Sequence, residues 1–81
     1  METYVGQIVQ FAFNYAPESW LPCEGQTLNI SSNQALYALI GTKFGGNGST
    51  TFCLPDMRKA SLFSTGMKYY IAISGTFPQQ D

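Results

Sequence analysis

The chain has 81 residues, 44% of them hydrophobic, only 11% charged, no histidine and a formal net charge of −1. That balance leaves no basic footprint for a nucleic-acid polymer. With just two cysteines and no histidine, a four-ligand zinc site within one chain is not expected either.

In chain order, Tyr4 to Phe13 is rich in β-formers and carries apolar residues on both parities. It reads as a strand covered on both faces, or as an edge shared between subunits. Asn14 to Ser19 is a loop in which Pro17 holds Ala16 extended. Trp20-Leu21-Pro22-Cys23 is a short extended piece that sinks the indole into the core. Glu24-Gly25 is a turn, and Gly25 accepts a positive φ cheaply. Gln26 to Ile30 predicts another short strand, with Leu28 and Ile30 on one face.

The one predicted helix lies near residues 32–40. Ser31 is the expected N-cap, with Gln34 completing a capping box and Ile30 and Ala35 in the staple positions. Leu36, Leu39 and Ile40 form the apolar stripe, and Gly41 terminates it. A glycine-rich stretch from Gly41 to Ser49 follows, entering a strand over Thr51-Phe52-Cys53-Leu54 that Pro55 ends. Asp56 to Met67 has no sustained period and reads as irregular, with Leu62 and Phe63 turned inward. Lys68 to Phe77 is the clearest strand, with Tyr69, Ile71, Ile73, Gly75 and Phe77 on one face and Tyr70, Ala72, Ser74 and Thr76 on the other. One of the two tyrosines is expected in the core and the other at a surface or interface. The fold class is mainly β, a small α+β domain of several short strands and one short helix, spanning residues 1–81 as one domain.

A chain of this size buries roughly 60–65% of its unfolded surface and is marginal alone. Soluble domains carry about 25% charged residues, more than twice the share here. The surface must be covered by Ser, Thr, Asn, Gln and Gly, or be buried against other chains, which points to a homo-oligomer or a module of a larger assembly. The N-terminal Met1-Glu2-Thr3-Tyr4 has no signal-peptide character, and no apolar run approaches the ~20 residues that span a bilayer. Cys23 and Cys53 read as free core thiols, with a disulfide between them as the alternative.

Taken in order, the motifs resemble the phage tail collar domain of microcystin-dependent-type proteins and short tail fibres. Gly6-Gln7-Ile8 with Phe11-Ala12 is similar to the family's G-x-I-x-x-F-A opening. Ala16-Pro17-Glu18-Ser19-Trp20 and Cys23-Glu24-Gly25-Gln26 resemble its A-P-x-x-W and C-[DE]-G-Q. Asn33 to Tyr37, Leu39 to Thr42 and Phe44 to Gly48 resemble its N-x-A-L-[FY]-x-L-[IL]-G-T-x-[FY]-G-G-[DN]-G core. Thr51-Phe52 and Leu54-Pro55-Asp56-Met57-Arg58 resemble its T-F-x-L-P-D-[LM]-R end. The likeness covers about residues 5 to 58, and Tyr69 to Pro78 is similar to the family's closing strand. Lys59-Ala60 stands where the family continues with glycine-arginine and a long variable insertion, so the chain resembles a near-minimal collar module.

The resemblance implies a non-enzymatic structural and attachment module, a trimer of itself, and the expected location is the virion tail or the host cytoplasm. Other tail proteins are the expected further partners. The other function class is a phage-encoded protein that binds or sequesters an anionic nucleotide or a glycan at subunit interfaces. For that ligand the candidate residues are Asn47, Ser49, Arg58, Tyr37 and Tyr69, beside backbone amides of the Gly45–Ser49 loop. The competing reading of that loop is a tight turn whose glycines allow close chain approach. Asp56 is expected to cap a turn, or to pair with Arg58 or a neighbouring subunit. No catalytic residue, metal ligand or cofactor is assigned, because no nucleophile has a base nearby and no carboxylates are usefully paired.

Overall fold

The computed structural model describes residues 3–12, 15–59 and 68–78. Its elements are β1 (Ile8–Phe11), β2 (Trp20–Pro22), β3 (Thr27–Asn29), α1 (Gln34–Ile40), β4 (Thr51–Cys53) and β5 (Lys68–Ala72). The architecture is mainly β: a three-stranded antiparallel sheet in the order β1-β5-β2, a two-stranded ribbon of β3 and β4, and one short helix.

The strand with the strongest β pattern takes the centre of the sheet. β5 pairs with β1 through Ile8↔Ile71 and Val9↔Tyr70, and with β2 through Leu21↔Ile71 and Pro22↔Tyr70. Directly paired residues share a face. Ile71 and Leu21 therefore point into the main core, while Tyr70 shares the opposite face with Val9, Phe11 and Trp20. Tyr70, Ile71 and Ala72 are all buried, so the central strand is covered on both sides. Phe11 packs edge-on against Trp20, ring centroids 5.3 Å apart, and lies 5.4 Å from Tyr70.

Two expectations are corrected here. Trp20 is half-buried in this aromatic group, outside the main core. Of the two tyrosines, Tyr70 is the fully buried ring, while Tyr69 packs against the core and keeps part of its surface open. The two long predicted strands are also shorter than expected, each cut by a glycine. Gly6 (φ +86°) turns the chain before β1, and Gly75 (φ +143°) bends it after β5, where a Cβ would lie 2.5 Å from the Thr3 carbonyl oxygen. Beyond that bend, Thr76 and Tyr4 form a parallel bridge.

The ribbon runs past its two named strands. Leu54 N–H donates to Gln26 O, Gly25 N–H to Pro55 O and Met57 N–H to Cys23 O, with Glu24 bridging Asp56, all in the β3–β4 register. Cys23 joins the sheets, because its own N–H donates to Tyr69 O on β5. In this ladder Cys53 faces Thr27 and Cys23 faces Met57, four residues farther along. Both thiols are free.

The helix begins later than its sequence suggests. Asn33 N–H donates to Ile30 O, closing a turn over Ser31 and Ser32, so Asn33 becomes the N-cap position. Its side chain makes no cap bond; Nδ2 donates instead to Asn29 O at 2.9 Å. The predicted Ser31 cap is thus replaced by a turn that ties the helix to β3. Gly41 ends the helix as expected, its N–H on Tyr37 O. Leu36 is fully buried, with Leu39 and Ile40 against the same core.

That core is Val5, Cys23, Leu36, Phe52, Leu54 and Ile71: one residue each from α1, β4 and β5, and three from the segments that flank the strands. Burying a side chain such as Leu36 or Phe52 contributes about 1.5–3 kcal/mol. The predicted inward packing of Leu62 and Phe63, and most of the irregular Asp56–Met67 segment, lie outside the described residues.

Candidate functional site

The most organised exposed feature is the loop from Gly41 to Thr51, which folds back on its own exit strand. Gly45 N–H donates to Thr42 O, and Cys53 N–H returns a bond to Gly45 O. Gly46 (φ +99°) crosses the start of β4 so closely that a Cβ there would lie 2.4 Å from Phe52 Cα and 2.6 Å from Thr51 O. Only glycine permits that crossing. The tight-turn reading of the glycines describes this geometry.

Asn47 organises the tip. Its Oδ1 accepts from the N–H groups of Ser49 (2.7 Å), Thr50 (2.8 Å) and Thr51 (3.1 Å). Its Nδ2 donates to Thr50 Oγ1, and its own N–H donates to Thr51 Oγ1. Gly48 N–H donates to Thr51 O. Of the Gly45–Ser49 amides that could cradle an anion, those of Gly45, Asn47, Gly48 and Ser49 therefore donate within the loop. The carboxamide oxygen of Asn47 takes the place that a ligand oxygen would need.

The five candidate residues fall into two groups. Tyr37 joins Asn47 and Ser49: its hydroxyl donates to Gly48 O at 3.3 Å, and its ring packs edge-on against Phe52. The phenol braces the loop from the helix. Arg58 and Tyr69 belong to the far end of the ribbon, on either side of Cys23, which bonds Tyr69 O and Met57 N–H. Five residues of extended chain separate Thr51 from Asp56, about 17 Å. The two groups thus sit at opposite ends of the ribbon and do not line one site within a single chain.

At that far end, Arg58 holds Asp56 bidentately, with Nε to Oδ1 at 2.9 Å and an Nη to Oδ2 at 2.6 Å. Asp56 Oδ1 also accepts the Arg58 backbone N–H, so the carboxylate caps its turn and pairs with the guanidinium at once. The side-chain hydrogen bonds from Arg58 lower the Asp56 pKa to about 2, and the same contact raises that of Arg58. Both side chains are exposed, so the pair fixes geometry more than it adds stability. Burial pushes the Cys23 thiol up to about 11, which keeps it protonated and unreactive near neutrality. Among the described residues, no three of His, Cys, Asp and Glu come together as a metal site.

Sequence reasoning named Asn47 but not its partners, Thr50 and Thr51. Their signal was the run Asn47-Gly48-Ser49-Thr50-Thr51, in which an Asx side chain precedes the amides it can accept from. The joining role of Cys23 has no local signal, since it depends on two partners far along the chain.

The fold and its loop define a small β-rich module whose most organised polar groups, around Asn47 and Asp56, shape their own backbone. Residues 6–62, more than half of the chain, match the Phage Tail Collar Domain. The chain belongs to that family. Among curated proteins, no significant match was found. No helix of the described residues is long and apolar enough to cross a membrane.

Proposed function

We propose that this chain is a non-enzymatic structural and attachment module of a phage tail, working by assembly with copies of itself, most simply as a trimer. The observation that carries this reading is a set of exposed large apolar side chains on β1 and on the two segments that pair beyond it. Tyr4 is 43% exposed, Ile8 39% and Phe77 48%. Tyr4 bridges Thr76, the residue before Phe77, and Ile8 opens the edge strand β1. A strand at the edge of the sheet among the described residues, flanked by apolar groups, is a surface that proteins ordinarily cover. With only 11% charged residues, this chain has little with which to solvate it. Covering each half-exposed side chain would contribute on the order of 1 kcal/mol.

In the assembled tail, the exposed polar groups at the two ends of the ribbon, Ser49 and Arg58, are the contacts offered to neighbouring tail proteins. Sedimentation velocity of the full chain beside an Ile8→Ser/Phe77→Ser variant tests the reading. The variant should sediment as a lighter species with an unchanged far-ultraviolet spectrum. A wild-type chain that sediments as a monomer at every concentration sinks the proposal.

A further inference from the structure

The Asn47-Gly48 pair carries a chemistry that the collar reading does not use. In an Asn-Gly sequence the glycine nitrogen can attack the asparagine Cγ, because no side chain hinders its approach. The N–Cγ bond forms and the Cγ–Nδ2 bond breaks. The displaced nitrogen leaves as ammonia, taking the amide proton, and a cyclic succinimide remains. Water then opens the ring to aspartate or to isoaspartate. Nothing besides water is consumed.

The closed loop holds both reacting groups. The nitrogen that must lose its proton, Gly48 N, donates it to Thr51 O at 3.0 Å. The carboxamide that must swing toward that nitrogen is fixed by three N–H groups on Oδ1 and by the Nδ2 bond to Thr50 Oγ1. Attack therefore requires the loop tip to open. Asn47 is exposed, so water and hydroxide reach it as soon as it does.

We propose that Asn47 is a latent modification site, kept as asparagine while the loop is closed and converted when the loop opens. The two products differ in consequence. Aspartate keeps an oxygen where Oδ1 accepts its three bonds, so the loop can close again. Isoaspartate inserts a backbone atom between residues 47 and 48 and displaces the acceptor, so that opening is recorded permanently in the chain. Three N–H groups on a carbonyl oxygen also resemble an oxyanion hole, which would favour attack. The bound proton of Gly48 decides the sign, since an amide nitrogen that keeps its proton is no nucleophile.

The test compares the full chain, folded and in urea, at one mildly alkaline pH. Peptide mapping follows the mass gain of amide-to-acid exchange at residue 47 and the separate elution of the isoaspartyl peptide. Conversion should be about a hundredfold slower in the folded chain, as expected for a loop closed by several net-favourable hydrogen bonds. Thr51→Val, which removes the acceptor for Asn47 N–H, should restore about a tenfold share of the lost rate. Should that variant fail to fold, the two wild-type rates decide alone. Equal rates, or faster conversion in the folded chain, overturn the proposal. Protection that vanishes on dilution also overturns it, because it would arise from contact between copies.

Discussion

The three-stranded sheet and the glycine-rich loop lie in one small chain but are held by opposite means. In the sheet, side chains do the work: Tyr70, Ile71 and Ala72 are buried on the two faces of β5, and ring contacts from Phe11 and Trp20 cover one of them. In the loop, it is the absence of a side chain that matters, together with hydrogen bonds that remain in contact with water. Gly46 touches the backbone of β4, and Asn47 gathers three amides that the loop's course would otherwise leave to solvent. The sheet should therefore be weakened by deleting atoms, and the loop by adding them.

That contrast predicts an order of effects. Ile71→Ala removes a side chain that is 1% exposed from the centre of the sheet, and should cost about 3–4 kcal/mol in urea unfolding. Gly46→Ala adds a single carbon, yet the positive φ and the clash with Phe52 should cost about 3 kcal/mol in the same measurement. A neutral result there would mean that the loop does not need its crossing, and the comparison would collapse.

Asn47→Ala should cost less, about 1–2 kcal/mol, because solvent can replace part of what the carboxamide provides. Asn47→Asp keeps the acceptor and should stay within about 0.5 kcal/mol of wild type. If the two substitutions behave alike in chemical denaturation, the three amide bonds are not what closes the tip. Ser19 is the described non-glycine residue with a positive φ, +72°. Ser19→Gly should relieve that strain and raise stability by up to about 1 kcal/mol, read as a later unfolding midpoint.

The smallest effect concerns pH. The folded-state pKa of Asp56, about 2, lies below its ordinary value, so its contribution is present above about pH 4 and is lost as pH falls toward 2. Asp56→Asn should remove that part of the slope from the stability profile between those limits. An unchanged slope would show that the Arg58 contact does not persist in solution.

Much of the fold could be read from the chain because its signals were local. Residues Leu36, Leu39 and Ile40 form the helix stripe and the apolar run at β5 marks the central strand, whereas Pro55 does not end the ribbon pairing, which continues through Asp56 and Met57. The helix start was missed because Ser31 has good cap chemistry but is drawn into a turn with Asn33 and Ile30. The lengths of β1 and β5 were missed because Gly6 and Gly75 reorient the chain at contacts with Leu39 and Thr3. At the candidate site, the residue types at the loop tip were legible but their directions were not. A carboxamide turned inward to its own backbone and one turned outward to a ligand have the same sequence. The separation of Arg58 and Tyr69 from Asn47 depends on the ribbon's length, which only the register of β3 against β4 reveals.

Taken together, the exposed apolar edge, the low charge and the collar family membership make self-assembly the central claim. Native mass spectrometry of the unmodified chain over a dilution series tests it most directly. The account predicts an oligomer, most simply a trimer, that persists into the low-micromolar range. A monomer that stays folded at every concentration would contradict it.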